Sequence, residues 1–380
     1  MIPQIAALVA GMAIGKLVGD ILFDTGEMNM FDCNDEVRSF HDKKVALPTA
    51  EQTEMRGRRD ANRDRLKLGL KNAGDPKPIG CHSQGSYAMK TMIQHPQKDY
   101  DIDDGVYFKK ESLEGPNGGD MSARRAKEMV CDALRDERFS KAPEVRANCV
   151  RVYYNEGYHI DVPVYRRVKK TTWFGDEKEV FEVASGDWKE SDPRAVTKWF
   201  EEENKAQSPA DEGADQFRRV TRHLKAFARS RESWSGRTAS GFIISKLVQE
   251  CFRPNARRED KALYDTMVSI RDRLNGSLVV NHPILDAPLT NGSEDGKVKF
   301  FREKLTEVID NLGVLFASDC SAEQAMKAWG KTYATDFFVD LLPEQSEETG
   351  DDSVVSTVTI LKEGRQPDEA VDKQGGGRYA

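Results

Sequence analysis

The chain has 380 residues, with 57 basic and 64 acidic side chains and a formal net charge of −7. Its hydrophobic content of 38% beside 32% charged residues excludes a multi-span membrane protein and a wholly disordered chain. The acidic balance argues against a protein that binds duplex DNA, and the six cysteines form no CxxC pair, which indicates reduced thiols in a cytoplasmic protein.

The first 30 residues are mostly apolar but contain Lys16 and Asp20. No basic segment precedes the apolar run, as a signal peptide requires, and the two charges make it a poor spanning helix. A membrane-touching helix, a packed N-terminal helix and an upstream mis-start remain as interpretations. We treat residues 1–30 as an apolar N-terminal extension and expect no membrane partner.

The residues that follow predict strands mixed with helices. Residues 51–72 predict a long, highly charged helix, and Ser122 caps a helix whose apolar residues keep helical spacing. Three segments predict strands: YDIDDGVYF, NCVRVYY and YHIDVPVYR. This mixture indicates an α/β or α+β domain, which we place at residues 31–190.

Helical patterns dominate from about residue 190 onward. They cover 193–205, 214–232, 238–252, 260–275, 299–317 and 321–341. Ser321 and Gln324 form a capping box at the start of the last helix. The tail is polar and ends in KQGGGRYA. We therefore predict a helical domain over residues 191–342 and a flexible tail over 343–380.

Three aspartates are the candidate metal ligands. Asp101 and Asp103 are two residues apart in a predicted strand, so both side chains point to one face. Close carboxylates repel each other unless a cation lies between them, and Mg²⁺ prefers such oxygen ligands. If the strand that contains Asp161 is a neighbour, the three carboxylates fit a two-metal site for phosphoryl transfer.

Each aspartate also has a simpler interpretation. DIDDG alone is typical of an acidic strand end that runs into an Asp-Gly turn, with Asp99 and Asp104 as loop and turn residues rather than ligands. A single aspartate such as Asp161 more often faces solvent. Pro163 indicates the end or the edge of its strand.

Two further features are typical of phosphate binding. Gly85 and Ser86 offer backbone N–H groups and a hydroxyl at a helix start, although Gly-Ser alone is a weak signal. One face of the predicted helix over 217–231 carries a basic stripe, Arg218, Arg222, Lys225 and Arg229, separate from the apolar stripe. These cations repel one another, which favours a polyphosphate partner, assisted by Ser240; the alternatives are a solvated face and acidic side chains elsewhere.

The combination of Gly85-Ser86, Asp101-Ile-Asp103 and Asp161 matches the signature of the polymerase β-like nucleotidyltransferases. The segments QGSYAMKT, YDIDDGVYF, HIDVPVY, SDPRAVTKWF and RRVTRHLKAF resemble the bacterial cGAS/DncV-like nucleotidyltransferases, over about residues 40–340. The resemblance implies an α+β fold, in which a polymerase β-like core with a mixed sheet flanked by helices is followed by a helical domain.

The resemblance also implies roles for individual residues. Asp101, Asp103 and Asp161 are expected to hold two Mg²⁺ ions, with Mn²⁺ as a substitute. The expected nucleotide-binding residues are Gln84, Gly85, Ser86, Arg151, Arg222, Lys225 and Ser240. Of these, Arg151 departs by one residue from the spacing of the family's arginine.

The function implied is the joining of NTPs, ATP and GTP first, into a cyclic dinucleotide with release of diphosphate, in anti-phage (CBASS) defence. The implied partners are the NTP substrates, a downstream effector activated by the product, and a ubiquitin-transfer-like protein that attaches the tail. Alternatives are a synthase of another cyclic di- or trinucleotide, a polymerase β-like enzyme that adds nucleotides to RNA, and a catalytically silent nucleotide-binding or toxin–antitoxin module.

Overall fold

The structure, a computed structural model, describes residues 29–96, 100–115, 118–154, 157–171, 175–210 and 213–343. Almost all of the apolar N-terminal extension, nearly the whole tail with its expected conjugation site, and Asp99 lie outside these ranges. No helix within the ranges is long and apolar enough to cross a membrane.

A mixed sheet forms the first half of the described chain. Its strands are β1 Gly80–Ser83, β2 Asp101–Lys109, β3 Glu144–Val145, β4 Val150–Tyr153, β5 His159–Val162, β6 Val164–Thr171, β7 Glu177–Ala184 and β8 Trp188–Glu190. The strand order is β3-β4-β5-β2-β6-β7-β8, and β1 pairs with β2.

Helices flank the sheet and make up the second half. They are α1 Asn34–Phe40, α2 Thr49–Ala73, α3 Gly85–Ala88, α4 Ala123–Ala133, α5 Pro193–Gln207, α6 Gln216–Ala228, α7 Gly241–Cys251, α8 Glu259–Gly276, α9 Gly296–Leu312 and α10 Ala322–Tyr333. Ser122 caps α4, and the capping box of Ser321 and Gln324 opens α10 as the sequence predicts. α10 ends eight residues early, because Ala334 adopts a left-handed backbone conformation (φ +52°).

β2 is the central strand because three others pair with it. β5 pairs in parallel with residues 101–103, β6 pairs in parallel with residues 106–109, and β1 pairs antiparallel with residues 104–107. Pro163 separates β5 from β6, and its carbonyl accepts a hydrogen bond from Val106 N–H at 2.9 Å. The predicted strand end at Pro163 is therefore confirmed, and it lies beside the central strand rather than at an edge of the sheet.

Two large clusters of buried apolar side chains hold the fold together. One lies between the sheet and helices α2 and α4 and includes Ile102. The other fills the helical region, where the predicted apolar stripe of α6 is buried, with Phe217 and Leu224 fully enclosed. Phe40 near the N-terminus and Met89 just after α3 belong to this second cluster. Two segments of the first half therefore pack against the helical region.

β7 lies in a segment for which the sequence predicts no element. It pairs antiparallel with β6 from Tyr165 to Thr171. The acidic side chains of β7 meet basic side chains of β6: Glu182 accepts from Arg166 at 2.8 Å, and Glu177 accepts from Lys169 at 3.2 Å. Cross-strand ion pairs of this kind stabilise a strand whose own sequence is too charged to be recognised.

Candidate active site

Arg151, Asp161 and Asp103 lie in one row across three strands. Arg151 of β4 is the register partner of Asp161 of β5, and Asp161 is the register partner of Asp103 of β2. Asp101 lies one row away, opposite His159. Registered partners, and residues two apart on a strand, share a face of the sheet. The three aspartates, which we call the carboxylate cluster, therefore project from the same face, as the sequence predicts for Asp101 and Asp103.

Arg151 neutralises the innermost carboxylate of the cluster. Asp161 is fully buried, and its two oxygens accept from Arg151 Nε at 2.7 Å and Nη2 at 2.8 Å. The guanidinium also lies 3.4 Å from Asp101. The bidentate contact raises the pKa of Arg151 above its ordinary value. A buried carboxylate requires such a partner, because an unpaired charge is costly away from water.

Asp103 is the carboxylate with the least compensation. Its Oδ1 is buried and has no hydrogen-bond partner among the described residues. Burial raises the pKa of Asp103 well above its ordinary value, and the carboxylates of Asp161 and Asp101 add to the shift, while Arg151 opposes it. The cluster therefore favours a proton or a cation at Asp103.

The predicted Gly-Ser turn lies directly against Asp103. Gly85 opens α3 with φ +62°, and a Cβ placed on it would overlap Asp103 Oδ2 and lie 3.3 Å from Cγ. The backbone N–H of Gln84 donates to the Asp103 carbonyl at 2.9 Å. Only glycine permits both this backbone conformation and this approach. The structure thus brings Gly85 and Ser86 beside the carboxylate cluster.

The side chain of Gln84 is turned toward the sheet. It is buried, and its amide nitrogen donates to the Tyr165 hydroxyl at 3.0 Å. A Cβ on Gly105 of β2 would lie 2.8 Å from Gln84 Oε1, so Gly105 leaves the room that this side chain occupies. In this arrangement Gln84 fixes the turn to the sheet, and its contact with a triphosphate stays a prediction.

Three members of the basic stripe contact the segment just after α3. Arg218 Nε donates to the Met89 carbonyl at 3.2 Å, Arg222 Nε donates to the Lys90 carbonyl at 2.9 Å, and Lys225 Nζ donates to Thr91 Oγ1 at 2.6 Å. Arg218 and Lys225 are buried rather than solvated. Arg218 also pairs with Glu201 and Asp215, so the alternative of acidic partners elsewhere applies to this residue. Contact of the stripe with a polyphosphate stays a prediction.

Lys225 contacts the 89–91 segment and Ser240 contacts α7, and contact of either residue with a triphosphate stays a prediction. Ser240 caps α7 by accepting from Ile243 N–H at 3.3 Å. A Cβ on the next residue, Gly241, would lie 3.0 Å from Lys225 Cε. Burial, followed by the charges of Arg229 and Arg222, lowers the pKa of Lys225 to about 7.

The prediction that Asp104 is a turn residue is wrong. β2 continues through Asp104 and Gly105 to Lys109, because β1 and β6 supply hydrogen-bonding partners for these residues. Asp104 points away from the cluster, is buried, and accepts from Arg63 Nε of α2 at 2.7 Å and from Ser83 Oγ at 3.1 Å. This ion pair attaches α2 to the sheet behind the candidate active site.

The carboxylate cluster offers the donors of a divalent-cation site without its final geometry. Within the described ranges, no group of three His, Cys, Asp or Glu side chains has metal-binding geometry, and Arg151 engages both oxygens of Asp161. The donor set nonetheless fits a hard cation. Three carboxylates share one face, and Asp103 Oδ1 has no hydrogen-bond donor.

Residues 80–165 match the family model described as "Cyclic GMP-AMP synthase DncV-like, nucleotidyltransferase domain". The matched range includes the Gly85 turn, the carboxylate cluster and Arg151. This part of the chain is therefore similar to a DncV-like nucleotidyltransferase domain. The resemblance to the bacterial cGAS/DncV-like nucleotidyltransferases and the α+β fold class are thereby confirmed.

A curated relative is the cyclic GMP-AMP synthase of Escherichia albertii, 27% identical over 232 residues. The match covers 59% of this chain and 48% of the relative, so the chain spans about half the length of that protein.

Similar solved structures reproduce the fold over most of the chain. A Vibrio cholerae DncV cyclic AMP-GMP synthase has 17% identity and a TM-score of 0.62, covering 80% of this chain and 96% of that one. Escherichia coli DncV bound to 3′-deoxy GTP has 16% identity and a TM-score of 0.60, covering 81% and 98%. At these identities the likeness shows the fold alone.

Sequence reasoning missed two residues near the carboxylate cluster and the basic stripe. His159 lies opposite Asp101, and its Nδ1 is 3.7 Å from Asp101 Oδ1. The rule that residues two apart share a face, applied to His159 and Asp161, would have found it. Thr91 is fully buried against Lys225, and no sequence signal pointed to this contact because it joins positions 134 residues apart.

Proposed function

We propose that this chain is a Mg²⁺-dependent nucleotidyltransferase that joins ATP and GTP into a cyclic dinucleotide. The observation that carries the proposal is the row of Arg151, Asp161 and Asp103, which ends at the Gly85 turn. A phosphate-binding turn and a group of carboxylates in direct contact are what nucleotidyl transfer requires. The cytoplasmic location, the role in anti-phage (CBASS) signalling and the downstream effector are parts of the same proposal.

Two transfers of the same kind make the product. In each, the 3′-hydroxyl oxygen of one nucleotide bonds to the α-phosphorus of a triphosphate, the bond from that phosphorus to the bridging oxygen breaks, and diphosphate leaves. The hydroxyl proton is released to water. The first transfer gives a linear dinucleotide that keeps one triphosphate, and the second closes the ring.

The chain's own residues bind and orient the reactants. Asp101, Asp103 and Asp161 would hold Mg²⁺, which when bound neutralises the charge of the triphosphate and of the transition state. Gly85 and Ser86 receive the phosphates of the donor on backbone N–H groups and a hydroxyl. Arg151 orients Asp161 through its bidentate contact.

The test is product analysis with the full chain. The purified protein is incubated with MgCl₂ and the four labelled NTPs, and phosphatase-resistant products are identified by mass spectrometry. The double variant Asp101→Asn/Asp103→Asn is expected to lose at least roughly 10³-fold in rate, because it removes two cation ligands. Asp132→Asn is the matched control, since Asp132 lies on α4, is 58% exposed and pairs only with a surface arginine in the described contacts.

Each product has a defined meaning. A cyclic product with adenine and guanine supports the proposal, and a ring of other bases or of three nucleotides keeps the chemistry and changes the substrate. Extension of an added RNA would favour the nucleotide-adding alternative. A double variant as active as Asp132→Asn would refute the carboxylate site.

A further inference from the structure

The basic stripe of α6 donates hydrogen bonds to a turn that directly follows the candidate phosphate site in the sequence. Met89, Lys90 and Thr91 follow α3, and we call them the 89–91 turn. Their oxygens accept, in sequence order, from Arg218, Arg222 and Lys225. Spacings of four and three residues place these side chains one above another on the helix, so the stripe follows three consecutive residues of the turn.

The 89–91 turn cannot satisfy these oxygens by itself. α3 ends at Ala88, so the carbonyls of Met89 and Lys90 lie beyond the helix and have no helical N–H partner. Lys90 adopts a left-handed backbone conformation (φ +54°), which a non-glycine residue holds only when its surroundings fix it. Arg222 supplies that constraint, because both Nε and Nη2 donate to the Lys90 carbonyl.

Arg218 and Arg222 also contact side chains outside the 89–91 turn, and these contacts hold them in place. Arg218 donates to Glu201 at 2.6 Å and to Asp215 at 2.7 Å. Arg222 Nη1 lies 3.4 Å from His41 Nε2, and His41 Nδ1 lies 2.7 Å from Asp42. With the proton assigned to Nδ1, His41 donates to Asp42 and accepts from Arg222. Groups with their own fixed partners can position a neighbouring backbone accurately.

Backbone hydrogen bonds connect the 89–91 turn to the Gly85–Ser86 motif. Met89 N–H donates to the Gly85 carbonyl at 3.1 Å, and Thr91 N–H donates to the Ser86 carbonyl at 2.8 Å. Gly85 lies against the carboxylate of Asp103. A continuous chain of contacts therefore runs from α6 through the 89–91 turn to the carboxylate cluster.

We infer that Arg218 and Arg222 are positioning residues, which hold the 89–91 turn and thereby set the place of the Gly85–Ser86 motif relative to Asp103. The inference rests on the proposed function for the identity of the ligand, a nucleoside triphosphate. It differs from the expectation that Arg222 touches phosphate, because the side chain acts on the protein backbone before any nucleotide binds.

Hydrogen exchange without nucleotide separates the two roles. In Arg222→Met, which keeps the length of the side chain and removes its donors, the amides of residues 84–91 are expected to exchange roughly tenfold faster than in the wild type. A residue that only touches phosphate would leave this exchange unchanged. The measurement needs no activity, so it remains valid if the proposed function fails.

Arg273→Met is the matched control. Arg273 also donates to two backbone carbonyls of the helical region, those of Ser277 at 2.6 Å and Val279 at 2.7 Å, but far along the chain from the 89–91 turn. Its loss is expected to leave exchange at residues 84–91 unchanged. In rate measurements, Arg222→Met should raise the KM for the donor triphosphate and lower kcat, and Arg273→Met should change neither.

A second variant decides the matter if Arg222→Met does not fold. Arg222→Lys keeps the positive charge of the side chain but cannot place the two guanidinium donors on the Lys90 carbonyl. It is expected to loosen the same residues. Exchange at 84–91 within about twofold of the wild type in a folded variant, or an equal increase in Arg273→Met, would overturn the inference.

Discussion

The contact between Gly85 and Asp103 gives the sharpest test of the candidate active site. In Gly85→Ala the new methyl group would overlap Asp103 Oδ2 and lie 3.3 Å from Cγ. The carboxylate would have to move by roughly 1 Å, a displacement that can cost about 100-fold in rate at a reacting centre. The alanine would also hold φ +62°, which costs roughly 1–2 kcal/mol of folding free energy.

Gly74→Ala separates these two effects. Gly74 ends α2 with φ +73°, and a Cβ there would meet nothing within 4 Å. Both variants should therefore lose the same roughly 1–2 kcal/mol of unfolding free energy for the backbone conformation, and Gly85→Ala a further ~1–3 kcal/mol for the overlap, in urea titrations. Only Gly85→Ala should lose about 100-fold in kcat/KM for diphosphate release, and it should also bind Mn²⁺ more weakly in calorimetry. Activity of Gly85→Ala within about threefold of Gly74→Ala would refute the reasoning.

Three further predictions concern stability. The pKa of Lys225 is about 7 in the folded protein and 10.5 for a free lysine, so between these pH values the unfolded chain binds one more proton than the folded chain. The free energy of unfolding therefore rises with pH across that window, by up to roughly 5 kcal/mol. Lys225→Met should remove this rise, as measured by urea titrations at pH 6 and pH 10. Arg63→Met leaves the buried Asp104 without its guanidinium and should cost about 3–5 kcal/mol, most of it recovered in the double variant with Asp104→Asn; equal losses in both would contradict this. Ser321→Ala removes the capping box of α10 and should cost about 1 kcal/mol in thermal unfolding, with an unchanged melting temperature as the contrary result.

The sequence predicted the faces of the carboxylates but not their neighbours. The alternation of a strand is enough to put Asp101 and Asp103 on one face. That Asp161 is the register partner of Asp103 depends on which strands pair, and the two aspartates lie 58 residues apart in the sequence. The resemblance to known nucleotidyltransferases supplied this pairing, and local patterns did not.

At Asp104, strand pairing prevails over the turn preference of the Asp-Gly dipeptide. Asp-Gly is typical of a turn, but β1 pairs with residues 104–107 and extends the strand through the glycine. Gly105 is needed there for room rather than for a turn, since a Cβ would lie 2.8 Å from both Gln84 and Tyr165. The glycine of this dipeptide is thus required for close packing against Gln84 and Tyr165, which are distant in the sequence.

The sequence predicted that the cations of the basic stripe need partners, but it did not predict the backbone oxygens of the 89–91 turn among those partners. Backbone carbonyls carry no sequence signature, so a turn that accepts from three cations looks like any other turn. Met89 packs in the helical core while Gly85 touches Asp103 on the sheet, four residues earlier. The stretch from Gly85 to Thr91 therefore joins the two halves of the molecule, and a shift of α6 would move the Gly85–Ser86 motif with it.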